Sequence, residues 1–132
     1  MRAVITVIGT QRVDDDCAQI RQESIGMVKQ TAEETSIVYT AEKMKTTVTI
    51  QPPQVTVSRV GEYSSVLILE KGQAHNCLYR TPYGIFDLTV KTNDIQNELI
   101  DGLGRLYLSY TLDMGGATTE NEIEITVKEV SE

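Results

Sequence analysis

Cys77-Leu-Tyr-Arg-Thr-Pro-Tyr-Gly-Ile-Phe-Asp-Leu-Thr-Val-Lys-Thr92 reads as two strands joined by a tight corner. Thr81-Pro82-Tyr83-Gly84 puts proline where a type I turn needs φ near about −65° and glycine at the closing position, so the chain reverses there. Phe86, Leu88 and Val90 then recur at period two, the spacing of one face of a strand.

The same unit repeats to either side. Toward the N-terminus, Arg2 to Arg12 reads as a first strand closed by the acidic turn Asp14-Asp15-Asp16, and Ala18 to Gln30 as a second, although Ile25 and Met27 would also suit a helix face. Ser36 to Glu42, Thr46 to Ile50, Val55 to Arg59 and Ser64 to Glu70 follow as strands, with Gln51-Pro52-Pro53-Gln54 a corner that can donate few ladder hydrogen bonds. Beyond Thr92, Asn93-Asp94 marks a bulge or break, and Ile95 to Ile100 extends the strand or makes one helical turn. Asp101-Gly102 is a strong hairpin dipeptide. Leu106, Leu108, Tyr110 and Leu112 alternate with polar residues, Gly115-Gly116 turns the chain, and Asn121, Ile123, Ile125 and Val127 alternate with Glu120, Glu122 and Glu124.

Turn signals spaced by about 8–12 residues and the lack of any long helical pattern give an all-β chain of about ten strands. Ten is even, so the first and last strands of an up-and-down meander run antiparallel and can pair, which closes the sheet into a barrel. The expected fold is a closed or nearly closed antiparallel barrel, with a two-sheet sandwich as the alternative.

The 132 residues are expected to form a single domain with its own core. No apolar run approaches the roughly 20 residues a membrane helix requires. A net charge of −7 with scattered basic residues argues against nucleic-acid binding. Thr6 interrupts the apolar N-terminal run and no small-residue cleavage site precedes the acidic turn, so a cytoplasmic protein is expected. Cys17 and Cys77 are too few and too far apart for a disulfide framework or a metal cluster.

Glu42 with Thr46-Thr47, Val57-Ser58-Arg59-Val60-Gly61, Tyr79-Arg80-Thr81-Pro82-Tyr83-Gly84, Thr92, Gly104, Tyr110-Thr111-Leu112 and Asn121 lie in order along the chain. In that order and spacing they resemble the YwiB-like family of small bacterial proteins, across Ile37 to Val127. The resemblance implies a calycin-like barrel, the architecture of lipocalins and fatty-acid-binding proteins, and for the family no established activity.

In such a meander the ends of strands three, five, seven and nine fall at one mouth of the barrel, with the starts of strands four, eight and ten. That places Glu42, Thr46, Arg59, Tyr83, Tyr110 and Asn121 together. Arg59 shares a face with Val55 and Val57, Thr46 with Val48 and Ile50, Tyr110 with Leu106 and Leu108, and Asn121 with Ile123 and Ile125. Each is a polar group on an inward face, and an inward arginine is costly unless paired, so Glu42 is expected to pair with Arg59. An arginine and a tyrosine inside an apolar cavity suit the head group of a small amphipathic anion. The alternative is a barrel plugged by these residues that works as a structural or self-associating module, with a homodimer as its simplest form. An enzyme using Arg59 and Glu42 is the weakest reading, because one histidine, His75, and no activated nucleophile leave few catalytic roles. No phosphate loop, zinc site or serine triad is present, so no cofactor or metal is expected.

Overall fold

The computed structural model describes residues 1–130. Ten strands follow one another: β1 Arg2–Val13, β2 Asp16–Gln30, β3 Thr35–Ala41, β4 Met44–Gln51, β5 Gln54–Val60, β6 Ser64–Glu70, β7 Ala74–Thr81, β8 Gly84–Ile100, β9 Leu103–Met114 and β10 Ala117–Glu129. Each pairs antiparallel with its neighbours in sequence, and β1 pairs with β10 from Ala3↔Glu129 to Arg12↔Glu120, closing the barrel. The sandwich alternative is therefore set aside. No helix is long and apolar enough to cross a membrane among the described residues.

Alternation decides the core. Ile5 and Val7 of β1, Val48 and Ile50 of β4, Val55 and Val57 of β5, Leu106 and Leu108 of β9, and Ile125 and Val127 of β10 all point inward and are buried. The second strand takes the extended form, with Val28 inward and Ile25 and Met27 exposed on the outside. Ile95 to Ile100 continues β8, and the register slips between Thr92 and Asp94, so Asn93 is a bulge. The β7–β8 corner is held by its own threonine: the Tyr83 amide donates to Thr81 Oγ1 at 3.1 Å, and Thr81 Oγ1 donates to the Gly84 carbonyl at 3.1 Å.

Two seams break the regularity. β6 and β7 pair only at Ser64↔Arg80 and Ser65↔Tyr79. Thr92 closes the far end of that seam: its amide donates to the Gln73 carbonyl, its carbonyl accepts from Gly72, and its hydroxyl accepts from the Glu70 amide. The second seam lies between β2 and β3, which pair only from Met27↔Val38 to Gln30↔Thr35. Below it, Asp16 to Ile25 pairs with β1 alone.

Gly26 stands where β2 leaves β3. A Cβ there would lie 2.3 Å from the Val38 carbonyl oxygen and 2.4 Å from Cδ1 of Ile5, distances no side chain can occupy. Gly26→Ala is therefore expected to destabilise the protein by about 1–3 kcal/mol through forced displacement of backbone. Gly9→Ala, in β1 with nothing within 4 Å of its added carbon, serves as the control and should stay within about 0.5 kcal/mol of the parent. Chemical denaturation of the two variants checks the contrast, and equal stability would contradict it.

Candidate functional site

The cross-strand register assembles one inward row at the end of the barrel where β1, β3, β5, β7 and β9 finish. Tyr39, Thr46, Arg59, Ser65, Tyr79 and Phe86 are successive partners across β3 to β8. Gln11, Asn121 and Tyr110, successive partners across β1, β10 and β9, form a second inward arc that meets the first at the cavity. One inward step deeper, the row Ile37, Val48, Val57 and Leu67 is apolar and buried. The interior thus changes from hydrocarbon to hydroxyl, amide and guanidinium over a single pleat.

Above that boundary lies an open cavity of about 490 Å³. Tyr39, Thr46, Arg59, Tyr110 and Asn121 supply its polar groups, with Gln11 and Gln22. Val7, Ile123, Ala18, Ile20, Met44 and Tyr63 supply much of its apolar wall. Glu42 stands at the rim in the two-residue β3–β4 turn, where it and Lys43 both take positive φ (52° and 64°), the geometry of a type I′ hairpin. Arg59 is the single cation among the lining residues, and Glu122, the second carboxylate, is engaged by Arg12 at 3.5 Å.

Tyr39 and Tyr110 are 5 % and 6 % exposed. Neither hydroxyl has a hydrogen-bond partner among the described residues, yet neither is sealed away, so both face the cavity. Burial pushes the Tyr110 phenol above its ordinary range, the positive charge of Arg59 pulls it down, and Tyr39 pushes it up. That influence places the guanidinium and the phenol within electrostatic reach of each other. Asn121 is oriented by its own strand, its amide donating to the Thr119 carbonyl at 3.2 Å and to Thr119 Oγ1 at 3.0 Å.

Five of the six residues expected at this mouth, Arg59, Glu42, Thr46, Tyr110 and Asn121, line the one cavity. Tyr83 does not: it is 91 % exposed on the β7–β8 turn, because a turn residue beyond the last ladder pair is free of the alternation that directs strand side chains inward. The expected Arg59–Glu42 ion pair is not formed among the described residues. Arg59 sits at the open end of β5 and is exposed to water, so it carries no burial penalty that a carboxylate must offset. Tyr39, Met44, Tyr63 and the β2 residues Ala18, Ile20 and Gln22 join the site without having been singled out. Tyr39 shares parity with Ile37 and was accessible to the same argument, whereas the β2 residues required knowing how far β2 overshoots β3.

His75, expected to be an ordinary turn or surface residue, is half-buried with Nε2 3.7 Å from a Glu70 carboxylate oxygen, at the opposite end of β7 from the cavity. Cys17 is exposed, Cys77 is buried, and both are free. No cluster of metal-ligating side chains occurs among the described residues.

A family model described as a domain of unknown function, DUF1934, matches residues 5–126. The chain belongs to this family. Its fold is similar to the crystal structure of the ywiB protein from Bacillus subtilis, with a TM-score of 0.82 over 98 % of this chain and 92 % of that one, at 19 % sequence identity. No curated protein matches the sequence.

The Tyr110 environment has a measurable consequence. Because its pKa is raised in the folded protein, the neutral phenol contributes stability that is present below the unfolded value of about 10 and is lost as pH rises through the folded one. Tyr110→Phe should remove a late component from the ultraviolet tyrosinate titration and weaken the alkaline loss of stability. Tyr107 is also raised, first by burial and then by Glu122, so the difference between parent and variant isolates Tyr110. Arg59→Met should move the Tyr110 component further upward. A Tyr110 component that titrates in the ordinary range, or ignores Arg59, would contradict the geometry.

Proposed function

We propose that this member of the DUF1934 family binds a small amphipathic anion in the cavity at the barrel mouth. The observation that carries the reading is a pair of largely buried tyrosines, Tyr39 and Tyr110, whose unpartnered hydroxyls face an open cavity beside the single lining cation, Arg59. A hydroxyl with no protein partner accepts or donates readily to a ligand, and a guanidinium beside it favours a carboxylate, sulfonate or phosphate oxygen. Val7, Ile123 and Ile20 offer the complementary surface for an acyl chain or a ring. The volume of about 490 Å³ lies within the usual range for small-molecule sites.

Two features shape the preference. Arg59 remains hydrated without ligand, so an anion must replace its water and its attraction is moderated. An occupant with no polar head would displace the water of the cavity and leave the tyrosine hydroxyls unpaired, which disfavours a plain hydrocarbon. Glu42 at the rim opposes a second negative charge and so favours a singly charged head. Nothing in the lining supplies an activated nucleophile or an acid–base pair, and binding rather than chemistry is the reading the side chains support.

Isothermal titration calorimetry with two ligands of equal tail and opposite head tests the proposal. Decanoate should bind saturably at one site, and decyltrimethylammonium should not. Arg59→Met should weaken decanoate about tenfold or more, as expected from loss of a charge-assisted hydrogen bond. Absence of saturable decanoate binding, or equal binding of the two ligands, would sink the proposal.

A further inference from the structure

The second seam leaves more than a cavity wall. From Asp16 to Ile25, β2 is hydrogen-bonded on its β1 side only, and among the described residues no strand pairs with its other edge, which β3 covers only from Gly26 onward. An edge of this length is well beyond the average whole strand of about 5–6 residues. It contains no proline and no lysine, the residues that commonly blunt such edges. The comparable break between β6 and β7 is shorter and is bridged at its far end by the backbone and hydroxyl of Thr92.

The side chains along the edge are complementary to themselves. Arg21 and Glu23 both project from the outer face, both are exposed, and neither forms an ion pair among the described residues. Laying a second copy of the edge antiparallel, with a two-fold axis through Gln22, sets Arg21 opposite Glu23 of the partner subunit and Glu23 opposite Arg21 of the partner subunit. Two opposite-charge pairs thus form across the new ladder, with residues of like parity on the same face. Moving the axis by one residue, to Arg21, would set the two arginines against each other. The charges therefore select one register.

We infer that the chain forms a two-fold homodimer by antiparallel pairing of the free β2 edges about Gln22. Such an interface is isologous and closes on itself, so it satisfies both edges without generating a fibre. It extends the sheet of each barrel across the boundary, and backbone hydrogen bonds supply the attraction while the Arg21–Glu23 pairs set the register. Ala18, Ile20 and Gln22 lie on the cavity face of the same strand, so the second copy sits at the rim of the proposed binding site. The dimer does not depend on that site holding a ligand.

Charge exchange separates this interface from a merely structural role of the two residues. By light scattering on a size-exclusion column, the parent should have twice the chain mass of 14.7 kDa. Arg21→Glu and Glu23→Arg each convert attraction to repulsion at two symmetric places, and should weaken the dimer about tenfold or more while the far-UV circular dichroism spectrum is retained. The double variant R21E/E23R restores both pairs and should restore the dimer. In a Cys17→Ser background, Gln22→Cys should cross-link to its own copy on oxidation, since the axis residues face each other. A monomeric parent, a dimer indifferent to the single reversals, or a double exchange that fails to recover it would overturn the inference.

Discussion

Closure of the sheet by β1 and β10 is the constraint on which the other features depend. The pairing from Ala3↔Glu129 to Arg12↔Glu120 joins the two ends of the chain and removes the terminal edges that a meander otherwise leaves. It also fixes parity around the whole circle. Once Ile5 and Val127 face each other inward, every second residue is assigned to the interior, the bulge at Asn93 apart, and the polar arcs from Tyr39 through Arg59 and from Gln11 through Tyr110 follow without further choice.

Closure does not require equal strands, and this chain does not have them. β1, β2, β8, β9 and β10 run 12 to 17 residues, whereas β3 to β7 run 7 or 8. Short strands end where the core ends. Long strands continue past it, and the space enclosed by the overshoot is the cavity. The free edge of β2 has the same origin, since β3 stops while β2 goes on. The cavity and the free edge thus arise from one mismatch in length, with Gly26 permitting the close contact at which the two strands part.

Much of this was legible in the chain. The Thr81-Pro82-Tyr83-Gly84 corner, the Asp101-Gly102 hairpin, the irregularity at Asn93-Asp94 and the alternation around Val57, Leu108 and Ile125 are local signals, and the strand number and closure follow from them. Parity also placed Thr46, Arg59, Tyr110 and Asn121 on the inside. What failed was non-local or lay outside the ladder. The direction of Tyr83 is set by a turn rather than by a pleat. The pairing of Arg59 with Glu42 presumed that an inward residue is a buried one, which does not hold at a mouth. The contribution of Ala18, Ile20 and Gln22 depends on how far β2 overshoots β3, which no pattern within β2 encodes.

The central claim is that the row above the apolar core is a site for an amphipathic anion, and nuclear magnetic resonance locates that most directly. Titration of the ¹⁵N-labelled protein with decanoate should shift the amides of Tyr39, Thr46, Arg59 and Tyr110 along one saturating curve. The amides of Leu69 and Val90, which are buried in the apolar core and do not line the cavity, should stay in place. Shifts confined to the outer face around Ile25 and Met27, or none at all, would contradict the account.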